Sequence, residues 1–180
     1  MKIRLAAELQ PDSIVDGLGI RTVIWTQGCP HNCPGCHNPS THSFEDGCFI
    51  ETKEIKEELK HLKNQTGITF SGGDPMCQPE ACSDIAKYAR MLGMNIWCYT
   101  GYTFEELLAM NNQKVLDFLK EIDVLIDGRF MMEQKSLNLK FKGSKNQRTI
   151  NVKKSLLAGK VVLEQDGDEI QFEPKEGIFV

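Results

Sequence analysis

The 180-residue sequence lacks any apolar run long enough to span a bilayer. Met1 to Gln10 lacks the apolar core of a signal peptide. A basic block is missing too: 21 Lys and Arg face 25 Asp and Glu, for a net charge of −4. That balance argues against nucleic-acid binding, and the missing apolar run argues against a membrane role. Internal repeats and low-complexity tracts are absent, so one domain is expected over residues 1–180. With no targeting segment, the seven cysteines point to the cytoplasm, where thiols stay reduced and can hold metal. Cys48, Cys77, Cys82 and Cys98 share no cluster-like spacing and read as buried or bystander thiols.

Three cysteines remain, and they are close together. Cys29, Cys33 and Cys36 stand as C-x3-C-x2-C within QGCPHNCPGCHNP, Gln27 to Pro39. Three thiolates in a short Gly- and Pro-containing loop can wrap one compact metal centre. A four-iron cube needs a ligand on each iron, so three cysteines leave one iron open. The alternative is structural zinc, which closes its fourth position with protein. Zinc sites usually pair C-x2-C units or add H-x3-5-H, and no second pair at that spacing follows. His31, His37 and His42 keep a fourth protein ligand conceivable.

Along the chain, apolar runs alternate with helical periodicity. Ile20 to Thr26, Gly67 to Ser71, Met94 to Thr100 and Ile122 to Asp127 read as strands, and Gln147 to Val152 as a fifth. Lys53 to Lys63 reads as a helix with Thr52 as N-cap, and Pro79 opens a second that Gly93 follows. Thr103 with Glu106 forms a capping box, and Asn111-Asn112 divides the helical stretch towards Lys120. Asp166-Gly167 signals a C-terminal hairpin over 160–173. The alternation predicts βα units on a parallel sheet, whose ligands gather at the C-terminal strand ends. The informative loops all fall there.

SGGDP, Ser71 to Pro75, follows one strand, and its paired glycines let backbone groups approach a ligand. IDGRF, Ile126 to Phe130, places Asp127 and Arg129 at another strand end, as ligands for hydroxyls and a carboxylate or as a surface ion pair. YTGY, Tyr99 to Tyr102, follows a third. GSKNQR, Gly143 to Arg148, reads from its residues only as a loop.

The cysteine spacing resembles that of the radical S-adenosylmethionine (SAM) enzymes. Gly28, His37 and Asn38 look like their glycyl-radical activating branch. The resemblance implies an incomplete (β/α)6 barrel, shortened, with its core over about 13–163. It implies one [4Fe-4S] cluster on Cys29, Cys33 and Cys36, with SAM at the open iron. SGGDP is similar to the GGEP motif that binds the methionyl amino group, with Asp74 in place of Glu, so Gly72, Gly73 and Asp74 are expected to serve SAM and not the cluster. By the same resemblance Gly35, Cys36, His37, Asn38, Thr100, Asp127 and Arg129 join the SAM site. Tyr99 departs from the Asp usual at its position, and Gly35 from the aromatic residue that touches adenine. Gly35, VDGLGIR (Val15 to Arg21), IDGRF and GSKNQR together resemble the branch that activates anaerobic ribonucleoside-triphosphate reductase. The implied partners are the large reductase subunit, whose backbone glycine would become a radical, and a one-electron donor such as flavodoxin or ferredoxin. An activase for pyruvate formate-lyase and a non-enzymatic zinc-binding module are the alternatives.

Overall fold

The computed structural model describes residues 1–164. In chain order the elements are β1 (Lys2–Leu5), β2 (Gln10–Ser13), β3 (Arg21–Thr26), β4 (Cys48–Glu51), α1 (Thr52–His61) and β5 (Gly67–Gly72). There follow α2 (Pro79–Met91), β6 (Asn95–Tyr99), α3 (Phe104–Ala109), α4 (Gln113–Glu121), β7 (Val124–Asp127), β8 (Arg148–Asn151) and α5 (Val152–Ala158). One mixed sheet runs β4-β1-β3-β5-β6-β7-β8, with β2 also on β3. β3, β5, β6 and β7 are parallel, and β1 and β8 flank them antiparallel. The sheet is open: β4 and β8 end it at opposite edges.

Period-two alternation in the parallel strands sorts the sheet into two faces. Ile24, Ile68, Phe70, Ile96, Cys98 and Leu125 point to one side, against Ile55 and Leu59 of α1, Ile85 and Ala89 of α2, and Phe118 and Leu119 of α4. Phe70 meets Phe118 edge to face, ring centroids 5.2 Å apart. Burying each such side chain contributes about 1.5–3 kcal/mol. The opposite face carries a smaller cluster of Trp97, Val124 and Ile126 with Tyr99 and Phe141. That face borders the cavity described below.

Arg21 anchors the N-terminal end of β3. Its fully buried guanidinium donates to Thr69 Oγ1 at 2.6 Å, Asn95 Oδ1 at 2.6 Å and Leu18 O at 3.0 Å, and lies over the Trp97 ring. Burial lowers its pKa to about 9. This places VDGLGIR partly in the scaffold.

Two expectations change. The strand at Gln147 to Val152 is β8, and it runs antiparallel to β7, so the parallel run stops at four strands. Thr52 is the first helical residue, not the N-cap, and its hydroxyl donates to Asp84 Oδ2 at 2.7 Å. Leu163 forms an isolated antiparallel bridge with Ile150, and the Asp166-Gly167 turn expected of a 160–173 hairpin lies outside the described residues. The capping box forms as expected: Glu106 N–H donates to Thr103 Oγ1, and Thr103 N–H to Glu106 Oε2.

Candidate metal and cofactor site

β3 delivers the cysteine loop at the C-terminal edge of the parallel strands. Gln78, at the start of α2, holds its root: Nε2 donates to Arg4 O at 2.8 Å and Gln27 O at 3.1 Å. Gly28 N–H donates to Thr41 O and Cys29 N–H to His42 O, closing the loop on itself. Within it Cys36 N–H donates to Cys33 O, and Asn38 N–H reaches Cys36 Sγ at 3.4 Å.

SGGDP lies directly against this loop. Gly73 N–H donates to Thr26 O at 2.7 Å and Asp74 N–H to Gly28 O at 2.8 Å. A Cβ built on Gly73 would sit 2.4 Å from Gly28 O, so only glycine allows the two backbones to meet. The SGGDP turn therefore braces the cysteine loop as well as facing the cavity.

A cavity of about 510 Å³ opens here. Cys29, Cys33, Cys36, His37, Asn38, Gly72, Gly73, Asp74 and Thr100 line it together, with Trp25, Tyr99 and Gln147 on its other walls. The volume falls in the range of small-molecule sites. Among the described residues, no three His, Cys, Asp or Glu side chains converge as they would around a single metal ion. The three thiols share the cavity wall instead, a donor set of soft ligands suited to an iron–sulfur centre.

Asp74 is 1% exposed, and its carboxylate is committed to protein donors. Met76 N–H reaches Oδ1 at 2.9 Å, Gly101 N–H reaches Oδ2 at 3.0 Å, and the Thr100 hydroxyl lies 2.9–3.0 Å from both oxygens. His31 Nε2, in the cysteine loop, stands 2.7 Å from Oδ2. These contacts make the carboxylate a link among three loops at the wall of the cavity.

Burial raises the Cys29 thiol, opposed by the His31 main-chain N–H. Cys77 is pushed up to about 12, first by burial and then by Asp74. Complete burial holds Cys82 and Cys98 well up as well. All three are therefore held as unreactive thiols.

Asp127 and Arg129 do not join the cavity. Asp127, 1% exposed, binds Arg148 through Nε at 3.0 Å and Nη2 at 2.5 Å, and accepts the Phe104 N–H that starts α3. Arg148 continues to Glu105, and Asp127 first, then Glu105, raises its pKa. Arg148, not Arg129, is the cation paired with Asp127. Arg129 is exposed beside a separate recess of about 320 Å³ that Cys33 shares. GSKNQR is more than a loop: Gln147 accepts Gly143 N–H and donates to Gly128 O, and Asn146 donates to Arg129 O. It clamps IDGRF at the end of β7.

Gly35 has φ +71°, and a Cβ there would meet Met132 Cε at 2.0 Å. Phe130 lies next to it and packs on His37 with centroids 4.8 Å apart. Bulk missing at position 35 is thus supplied from IDGRF and the residues after it.

A family model described as "4Fe-4S single cluster domain" matches residues 15–150. The anaerobic ribonucleoside-triphosphate reductase-activating protein of Escherichia coli (strain K12) is 38% identical over 147 residues, 76% of this chain and 92% of that protein. The protein of the same name from Enterobacteria phage T4 is 36% identical over 148 residues, covering 78% and 89%. That from Vibrio cholerae is 37% identical over 147 residues, covering 76% and 91%. The chain belongs to this family of reductase-activating proteins.

Reading the sequence left His31 as one of three conceivable metal ligands, and missed Met132 and the framing contacts of Phe130, Gln147 and Arg148. His31 carries the one available signal, a polar side chain between two cysteines of the motif. The others reach the site only through tertiary packing.

Proposed function

We propose that this chain is the radical SAM activating enzyme of an anaerobic ribonucleoside-triphosphate reductase. When bound, a reduced [4Fe-4S] cluster supplies one electron that splits SAM into methionine and a 5′-deoxyadenosyl radical, which removes hydrogen from a glycine Cα of the reductase. The observation that carries the reading is the shared wall: Cys29, Cys33 and Cys36 border one cavity with the Gly72-Gly73 backbone and Thr100.

In this reading the three thiolates hold three irons and leave the fourth for SAM. Gly72 and Gly73 offer main-chain groups to its methionyl end. His37 and Asn38, with Phe130 beside Gly35, wall the nucleoside end. Asp74, on the same wall, acts through the loops it joins, and no side chain need act as a general acid or base. The electron comes from flavodoxin or ferredoxin. The open sheet of four parallel strands, helices on one face, fits an incomplete (β/α)6 barrel that leaves room for a peptide loop. Among the described residues no helix is long and apolar enough to cross a membrane, which suits a protein substrate in the cytoplasm.

The decisive test incubates anaerobically reconstituted protein with SAM, a strong reductant and the reductase. A doublet glycyl-radical signal is expected by electron paramagnetic resonance. Deuterium on the reductase glycine Cα should pass to 5′-deoxyadenosine, and pyruvate formate-lyase in the same assay should stay silent. A signal with pyruvate formate-lyase alone would redirect the reading to that enzyme. Zinc in place of iron in anaerobically purified protein would sink it altogether.

A further inference from the structure

His31 sits between two of the three cysteines yet its side chain is 3% exposed and turned away from solvent. Nε2 stands 2.7 Å from Asp74 Oδ2, and the ring packs edge-on to Tyr102 with centroids 4.4 Å apart. A carboxylate that already accepts from Met76, Gly101 and Thr100 leaves Nε2 the donor role. Nδ1 is buried with no hydrogen-bond partner, so the Asp74 contact is the ring's single polar attachment among the described residues. A Cβ on Gly101 would sit 2.3 Å from the ring, so the YTGY turn is shaped around it. One buried pair thus fastens the cysteine loop to the ends of both β5 and β6.

We propose that His31 and Asp74 form a positioning pair that sets the cluster's reduction potential and holds the cysteine loop against the strand ends that receive SAM. The proposal rests on the reading that the cysteine loop binds a [4Fe-4S] cluster. The physical ground is the charge of a carboxylate buried behind the cluster loop, where low dielectric keeps its field strong. Negative charge near a cluster disfavours the added electron, and a hydrogen bond donated to that charge offsets part of the effect.

The test uses full-length protein reconstituted anaerobically, with His31→Ala, His31→Gln and Asp74→Asn. Four quantities are read: iron per chain, SAM affinity by calorimetry, midpoint potential, and the change that SAM makes in the reduced cluster's paramagnetic spectrum. His31→Ala should move the potential negative and weaken SAM about tenfold, the lower end of the usual cost of losing a residue that orients a metal ligand. His31→Gln, which keeps a donor near Nε2, should restore both. Asp74→Asn should move the potential positive, opposite in sign to His31→Ala. A wholly structural role would not produce opposite shifts. Wild-type potential and SAM affinity in His31→Ala overturn the proposal. Equal impairment of His31→Ala and His31→Gln, or shifts of the same sign in His31→Ala and Asp74→Asn, overturn it too. Should His31→Ala not fold, His31→Gln and Asp74→Asn decide: near wild-type values in the first with a positive shift in the second uphold it, and any other pattern defeats it. Wild-type protein whose cluster spectrum ignores SAM would defeat the functional reading itself, and so is distinguishable from these results.

Discussion

Asp74 and Asp127 occupy equivalent ground: each ends or follows a parallel strand, and each is 1% exposed. Their partners separate them. Asp127 is answered by the cation of Arg148 and by the first N–H of α3, all on the side away from the cavity. Asp74 meets main-chain N–H groups, a hydroxyl and an imidazole, three of which come from loops that border the cavity. One carboxylate staples the frame; the other ties the loops of a site together. Strand-end placement alone does not make an acidic residue a ligand; the origin of its donors decides.

That contrast can be broken at several points. The largest effect is expected at the ligands. Replacing Cys29, Cys33 or Cys36 with Ala should abolish the brown colour and radical formation, while denaturant midpoints of the iron-free chain stay close to wild type. Retention of a full cluster in Cys29→Ala, with loss in Cys77→Ala, would reassign the ligands.

Next comes Gly73→Ala. Its methyl would press on Gly28 O, so iron content and SAM binding should fall together. Iron content that survives while SAM binding alone drops would return the turn to a purely SAM-facing role.

Asp127→Ala removes the buried half of a partly exposed ion pair and the acceptor of the Phe104 N–H, and should cost about 1–3 kcal/mol in denaturant unfolding of the iron-free protein. A loss under 1 kcal/mol would erase the distinction between the two carboxylates. The smallest effect belongs to Thr103→Ala, which lies outside the cavity lining. Losing the α3 cap should cost about 1 kcal/mol and leave iron per chain unchanged.

Much of the frame was legible because its signals are local. The four parallel strands are apolar runs, the Thr103 capping box is a three-residue spacing, and Asn111-Asn112 does interrupt the helix, between α3 and α4. β1, β2 and β4 were not foreseen: four residues each, QPDS among them, carry no usable periodicity. Their pairing is decided by distant antiparallel neighbours such as Lys2 with Glu51. The cysteines and SGGDP were legible as a pattern of residue types. The partner of Asp127 was not, because Arg129 is near in sequence while Arg148 is near in space. Nor could spacing reveal that Asp74 turns towards His31, since that depends on how two loops meet.

The cysteine loop has a place in the order of assembly. No residue from Cys29 to Ser40 belongs to either apolar cluster. The sheet and its helices therefore gain their burial without iron, unlike small zinc domains that stay unfolded until metal arrives. Iron meets a finished scaffold, and ligation becomes a late, local step that need not wait on or limit the folding of the rest. A chain made before iron is at hand would already be shaped to receive it, and one that loses its iron to oxygen would remain a protein to be refilled.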